Sequence, residues 1–126
     1  MGDKQEYNIN LDDKFGTLRL IDLPAEIAAH EPWVNETLTT VNDAVVRLGI
    51  VEGEFHWHTH DAEDEFFLVL EGQLLTDIED RPTVTLDRHQ GYTVPCGVLH
   101  RTRAPGRTAI LMIEPAGVVP KGDATG

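Results

Sequence analysis

Glu71-Gly72, Arg81-Pro82, Pro95-Cys96-Gly97 and Ala104-Pro105-Gly106 cut the second half of this chain into runs too short for packed helices. The pieces between these breaks favour the extended chain. Residues 44–51 (AVVRLGIV) are rich in β-branched side chains, and residues 108–114 (TAILMIE) form a second apolar run. Further strands are expected at residues 55–59, 65–70, 73–78, 83–86, 91–94 and 99–103, with hairpin turns at Asn42-Asp43 and Glu71-Gly72. Many short strands with regular turns predict an antiparallel sandwich or barrel. Before them, residues 1–14 are polar and form an arm, and residues 15–23 make a short strand. Pro24 then opens a helical turn, which Pro32 ends by Glu31. Trp33 and Val34 fall in a loop, and residues 116–126 form a tail.

The 126 residues suit one domain, with its core over about 37–115, an N-terminal arm over 1–36 and a tail over 116–126. A formal charge of −12 repels phosphate backbones, so nucleic acid is not an expected partner. No apolar run approaches the ~20 residues that span a bilayer, and the first residues lack an apolar signal core, so no membrane partner and a cytoplasmic location are expected. The single cysteine, Cys96, leaves no disulfide to form within one chain.

The chemistry-bearing stretch is GEFHWHTHDAEDEFFLVLEG, residues 53–72. His56, His58 and His60 alternate with Phe55, Trp57 and Thr59, so an extended strand points all three imidazoles one way. At a rise of about 3.3 Å per residue, the α-carbons of His56 and His60 lie roughly 13 Å apart, and metal–nitrogen bonds are about 2.0–2.1 Å. An unkinked strand therefore offers one ion the pair His56/His58 or the pair His58/His60, completed by a partner from elsewhere.

This stretch resembles the first signature of the cupin superfamily, H-x-H, three or four residues, Glu, six residues, Gly. Here it reads His58-Thr59-His60, four residues, Glu65, six residues, Gly72. The second signature is centred on P-x-G, two residues, His, and Pro95-Cys96-Gly97-Val98-Leu99-His100 carries that centre. Its leading Gly is displaced to Gly91, with His89 at the expected place, and Ala104 stands where the signature has Asn. The resemblance spans about residues 44–114. It implies an all-β, antiparallel jelly-roll (double-stranded β-helix) barrel with a short N-terminal arm. It also selects His58 and His60 from the histidine run and implies that they, with Glu65 and His100, bind a divalent transition metal: Fe, Mn, Ni, Zn, Co or Cu.

The resemblance further implies a small-molecule ligand or substrate, met by dioxygenase-, isomerase- or lyase-type chemistry, or else by a non-catalytic binding or sensing module. Candidates for the pocket wall are His56, Arg47, Gln73, Tyr92, Cys96 and Trp33. Arg101 and Arg103 alternate with His100, so they point outward if His100 points inward. A homodimer is expected, paired through residues 15–23, because sheet edges need cover.

Overall fold

A computed structural model describes residues 8–118 and residue 122. The short β-type runs form strands in the expected order: β2 (Val34–Val41), β3 (Ala44–Glu54), β4 (Glu65–Glu71), β5 (Leu74–Ile78), β6 (Val84–Leu86), β7 (Gly91–Val94) and β8 (His100–Pro115). Ahead of them come a short strand, β1 (Asn8–Asn10), and a single helical stretch, α1 (Leu23–Ala28). The helix starts because the Asp22 side chain accepts a hydrogen bond from the Ala25 N–H at 3.2 Å and Pro24 presets the first turn.

The ladder runs β1-β2-β3-β8-β4-β7, with β5 on β8 and β6 on β5. All pairings are antiparallel except β1 on β2. Strand β8 links the layers. Its first residues pair with β5, as in Thr76↔Thr102, and its later ones with β4, as in Leu68↔Leu111. Residues 104–107 do not break it, because β3 continues beside it through Gly53↔Ala104 and the register shifts between Val51 and Gly53. The expected pair of strands over 99–103 and 108–114 is thus one bent strand, and residues 52–54 extend β3.

Three other expectations change. Residues 55–59 form no strand, only the isolated bridge His58↔His100. Residues 15–23 are bends that lead into α1, with Phe15, Ile21 and Leu23 packed on the outer core. Val34 begins a strand, and Asn8–Asn10 pairs with its first residues, so part of the expected arm and loop is sheet. The sheet is also not closed. Its hydrogen-bonded path ends on β1 and β7, and no ladder spans residues 55–64.

Alternation sorts the side chains onto two cores. Val51, Phe67, Val69, Ile110 and Met112 face the interior between the layers. Leu48, Ile50, Leu38 and Ala109 face the other way and are covered by Ile27 of α1. Gly72 sits at φ +88° in the β4–β5 hairpin, and a Cβ there would lie 2.5 Å from Thr108 Oγ1 and 2.8 Å from the Arg107 carbonyl oxygen. The hairpin needs that residue for both its turn and its close approach to β8.

Candidate metal centre

On β3, β4 and β8, inward parity places not only apolar groups but also Arg47, Glu65 and Glu114. Glu65 opens β4 and His100 opens β8, and both are buried. The other two histidines come from the irregular segment 55–64, which backbone hydrogen bonds tie to the loop before β8. The His58 N–H donates to the His100 carbonyl at 2.9 Å, and the His100 N–H returns the bond at 3.0 Å. The Gly97 N–H donates to the His60 carbonyl at 2.8 Å, and the Cys96 N–H to Asp64 Oδ1 at 2.9 Å. These bonds set two loops edge to edge at the end of the sheet, which the expected isolated strand could not do.

The result is a tight group. His58, His60, Glu65 and His100 each offer a ligand atom, and these atoms lie within 4.8 Å of one another. Glu65 Oε1 is 3.4 Å from both His60 Nε2 and His100 Nε2. The rings of His58 and His100 are 4.3 Å apart, and those of His58 and His60 5.1 Å. His60, Glu65 and His100 are buried, and His58 is half-buried.

Proton positions follow from the neighbours. His58 Nδ1 faces the His56 carbonyl at 2.9 Å, and His100 Nδ1 faces the Val98 carbonyl at 2.9 Å. A carbonyl only accepts, so each Nδ1 carries the hydrogen and each neutral ring keeps a bare Nε2 lone pair. His100 Nε2 and Glu65 Oε1 are buried and find no hydrogen-bond partner in the chain. Burial, reinforced by His100, pushes His58 down to about 4. Neutral imidazoles with outward-anchored Nδ1–H groups around a charged carboxylate are the donor set a divalent first-row ion requires.

Behind Glu65 lies a second buried carboxyl that sequence reasoning did not single out. Glu114 is 3% exposed, and its Oε2 is 3.2 Å from Arg47 Nε, itself on a residue 3% exposed. Burial and the charge of Glu65 push Glu114 up to about 9, against the pull of Arg47. A signal for it existed, because Glu114 continues the alternation of Ile110 and Met112 toward the interior.

The remaining candidates scatter. Arg47 is inside but bound to Glu114. Trp33 lines a cavity that reaches His58 and Glu65. His56 is exposed, with its ring stacked on Phe55 at 4.3 Å, and it stands outside the four-residue group. Gln73 is exposed at the hairpin and donates to Asp87 Oδ1 at 2.9 Å, away from the centre. Tyr92 packs on the inner apolar core from β7, and Cys96 is exposed as a free thiol. Arg101 and Arg103 point outward, and both bond Asp77, at 2.8 and 2.6 Å. At the other end of the chain, Gly122 presses on His58 so closely that a Cβ at that position would overlap the His58 side chain.

Comparison with known proteins agrees with this architecture. Residues 44–114 match the family described as Cupin domain. The uncharacterized protein YdbB of Bacillus subtilis (strain 168) is 43% identical over 84 residues, which cover 67% of this chain and 74% of that protein. The crystal structure of a cupin-2 domain containing protein from Shewanella frigidimarina superposes with a TM-score of 0.72 at 34% identity, covering 76% of this chain and 94% of that one. Hydroquinone 1,2-dioxygenase from Sphingomonas sp. TTNP3 shares the fold at a TM-score of 0.71 and 19% identity, over 80% of this chain and 33% of that enzyme.

Proposed function

The chain belongs to the cupin domain family, and on that premise we propose that His58, His60, Glu65 and His100 hold one divalent transition-metal ion and present it to a small organic molecule. The supporting observation is the pair of Nδ1–H bonds to the carbonyls of residues 56 and 98, which leave Nε2 lone pairs beside the Glu65 carboxylate. When bound, such an ion supplies Lewis acidity or a redox centre at the open coordination positions. The chain's own residues orient the donors, keep the imidazoles neutral and exclude water with the apolar wall around them.

In this reading residues 1–126 form one functional domain with its core over about 37–115, and its chemistry is a conversion of the bound molecule of the dioxygenase, isomerase or lyase kind. A two-fold dimer is part of the proposal. Leu18 and Leu20 are almost fully exposed within the segment expected to pair, and a second copy is the simplest cover for them. Sedimentation of wild type against Leu18→Glu tests it, with a shift to monomer expected.

The central test is elemental analysis of protein purified without added metal, with His58→Ala as the control. It is followed by consumption of a panel of catechols, keto acids and sugar phosphates under air. About one ion per chain, lost in the variant, with turnover of a panel member, is the expected result. A chain holding no ion ends the proposal, and an ion without turnover favours a binding or sensing module instead.

A further inference from the structure

The cavity that reaches His58 and Glu65 has walls that restrict what can enter. Trp33, Phe55, Phe67, Ile110 and Met112 make it apolar and largely aromatic, with the Trp33 and Phe55 rings 5.9 Å apart. Among the described residues that line it there is no lysine or arginine. Arg47, the nearest interior guanidinium, is engaged by Glu114. An ion at the centre takes one oxygen of a ligand, but a second charge on that ligand lies against hydrocarbon, where an unpaired ion costs several kcal/mol.

Asn35 adds an unpaired polar atom to this wall. Asn35, on β2 opposite Gly49, lines the same cavity, and its Oδ1 is buried without a hydrogen-bond partner. A buried carbonyl left unpaired costs about 1–3 kcal/mol, and a ligand that supplies the donor recovers much of it. Thr102, the remaining polar side chain besides His58 and Glu65 to line the cavity from β8, carries no charge. The lining therefore asks for apolar surface and one donor, and for no charge.

The geometry points to a neutral, mainly apolar organic molecule bearing a hydroxyl or N–H donor, such as an un-ionised phenol, as the ligand of this cavity, with Asn35 as the residue that accepts the donor and sets specificity. The inference rests on the metal-centre reading only in taking the cavity as the approach to that centre. Molecules with a second charge that cannot reach the centre, such as sugar phosphates, are disfavoured by the same walls.

Full-length protein, both loaded with Zn(II) and stripped with chelator, is titrated by calorimetry with phenol, anisole and benzoate. Phenol and anisole share a ring, but only phenol donates, and benzoate carries the charge. Phenol is expected to bind about tenfold tighter than anisole, the size of one hydrogen bond to a buried acceptor, and benzoate more weakly than phenol in the stripped form, where no ion takes its carboxylate. Asn35→Leu, and Asn35→Ala as the control for steric blockage, bring phenol to the level of anisole. No binding of phenol, benzoate as tight as phenol in the stripped form, or an unchanged phenol-to-anisole ratio in both variants overturns the inference. Failure to take up Zn(II) with the phenol preference intact removes the metal reading and leaves this one standing, while uptake without the preference does the reverse.

Discussion

Two groups of histidine and carboxylate occur among the described residues, and each brings its ligand atoms within 4.8 Å: His58, His60, Glu65 and His100 in the interior, and Glu26, His30 and Glu36 under α1. The donor types are alike, but the surroundings differ. In the outer group Lys14 Nζ lies 2.8 Å from Glu26 Oε1 and 3.8 Å from Glu36 Oε1, so an ammonium already stands among the carboxylates. His30 Nε2 is 3.3 Å from Glu36 Oε2 and 3.9 Å from Glu26 Oε1. Burial and the nearby Glu26 push Glu36 up, as expected of crowded acids. The inner group has no ammonium or guanidinium paired with Glu65, whose nearest polar neighbours are the His60 and His100 imidazoles at 3.4 Å. Proximity of donors is shared, and what separates the groups is whether the chain supplies its own positive charge.

The largest expected effect tests that distinction directly. His60→Ala or His100→Ala should remove bound metal, with an affinity loss of at least ~100-fold, more than the loss of an outer-shell partner brings. His30→Ala should leave the metal stoichiometry of purified protein unchanged. Elemental analysis of the three variants checks this, and a metal loss in His30→Ala would break the comparison.

Next is the buried pair behind Glu65. Arg47→Met takes the buried partner from Glu114, whose carboxyl is already pushed up to about 9 and so uncharged near neutrality, and should cost about 1–3 kcal/mol in urea denaturation. Lys14→Met, which breaks a half-exposed pair, should cost about 1 kcal/mol or less in the same assay.

Acid sharpens the contrast further. With His58 held at about 4 against an ordinary 6.5, the unfolded chain takes up a proton between those values that the folded chain refuses. Stability of metal-free protein should therefore fall as pH drops from 6.5 to 4 and rise again as pH is restored. Melting curves in chelator over this range should show the fall blunted in His58→Gln, which cannot titrate there.

The smallest effect concerns the contact at Gly122. Gly122→Val adds a side chain where a Cβ already overlaps His58, at a residue with φ +92°. It should weaken metal binding by about tenfold, within the range for disturbing a ligand's orientation, and leave the urea midpoint nearly unchanged. Competition with a chromogenic chelator measures it.

Much of this was legible in one dimension. The β-branched run of β3, the apolar runs of β4 and β8, the turn residues at Asn42-Asp43 and Glu71-Gly72, and the proline in the first turn of α1 are local signals, and each produced its element. The donors His58, His60, Glu65 and His100 stood out through their spacing and the family signature they resemble. The errors came where long-range contacts decide. Residues 55–59 alternate like a strand, yet Phe55 and His58 bond Thr102 and His100 of β8 at separate points rather than along a ladder. Ala104-Pro105-Gly106 carries turn residues, but β3 beside it keeps β8 extended. Strand parity did not place Gln73 or Tyr92, and the structure puts Gln73 on Asp87 at the hairpin and Tyr92 against the inner core.

By itself the sequence determined the β-rich class, the strand order in the chain and the chemical kind of donors, because these depend on side-chain type and short periodicity. Tertiary structure alone decided that His56 stays outside while His60 is buried, that Glu114 and Arg47 stand behind Glu65, and that Asn35 faces the cavity. The reason is physical: burial, proton placement and convergence belong to pairs of residues distant along the chain, and those pairs exist only once the layers have packed.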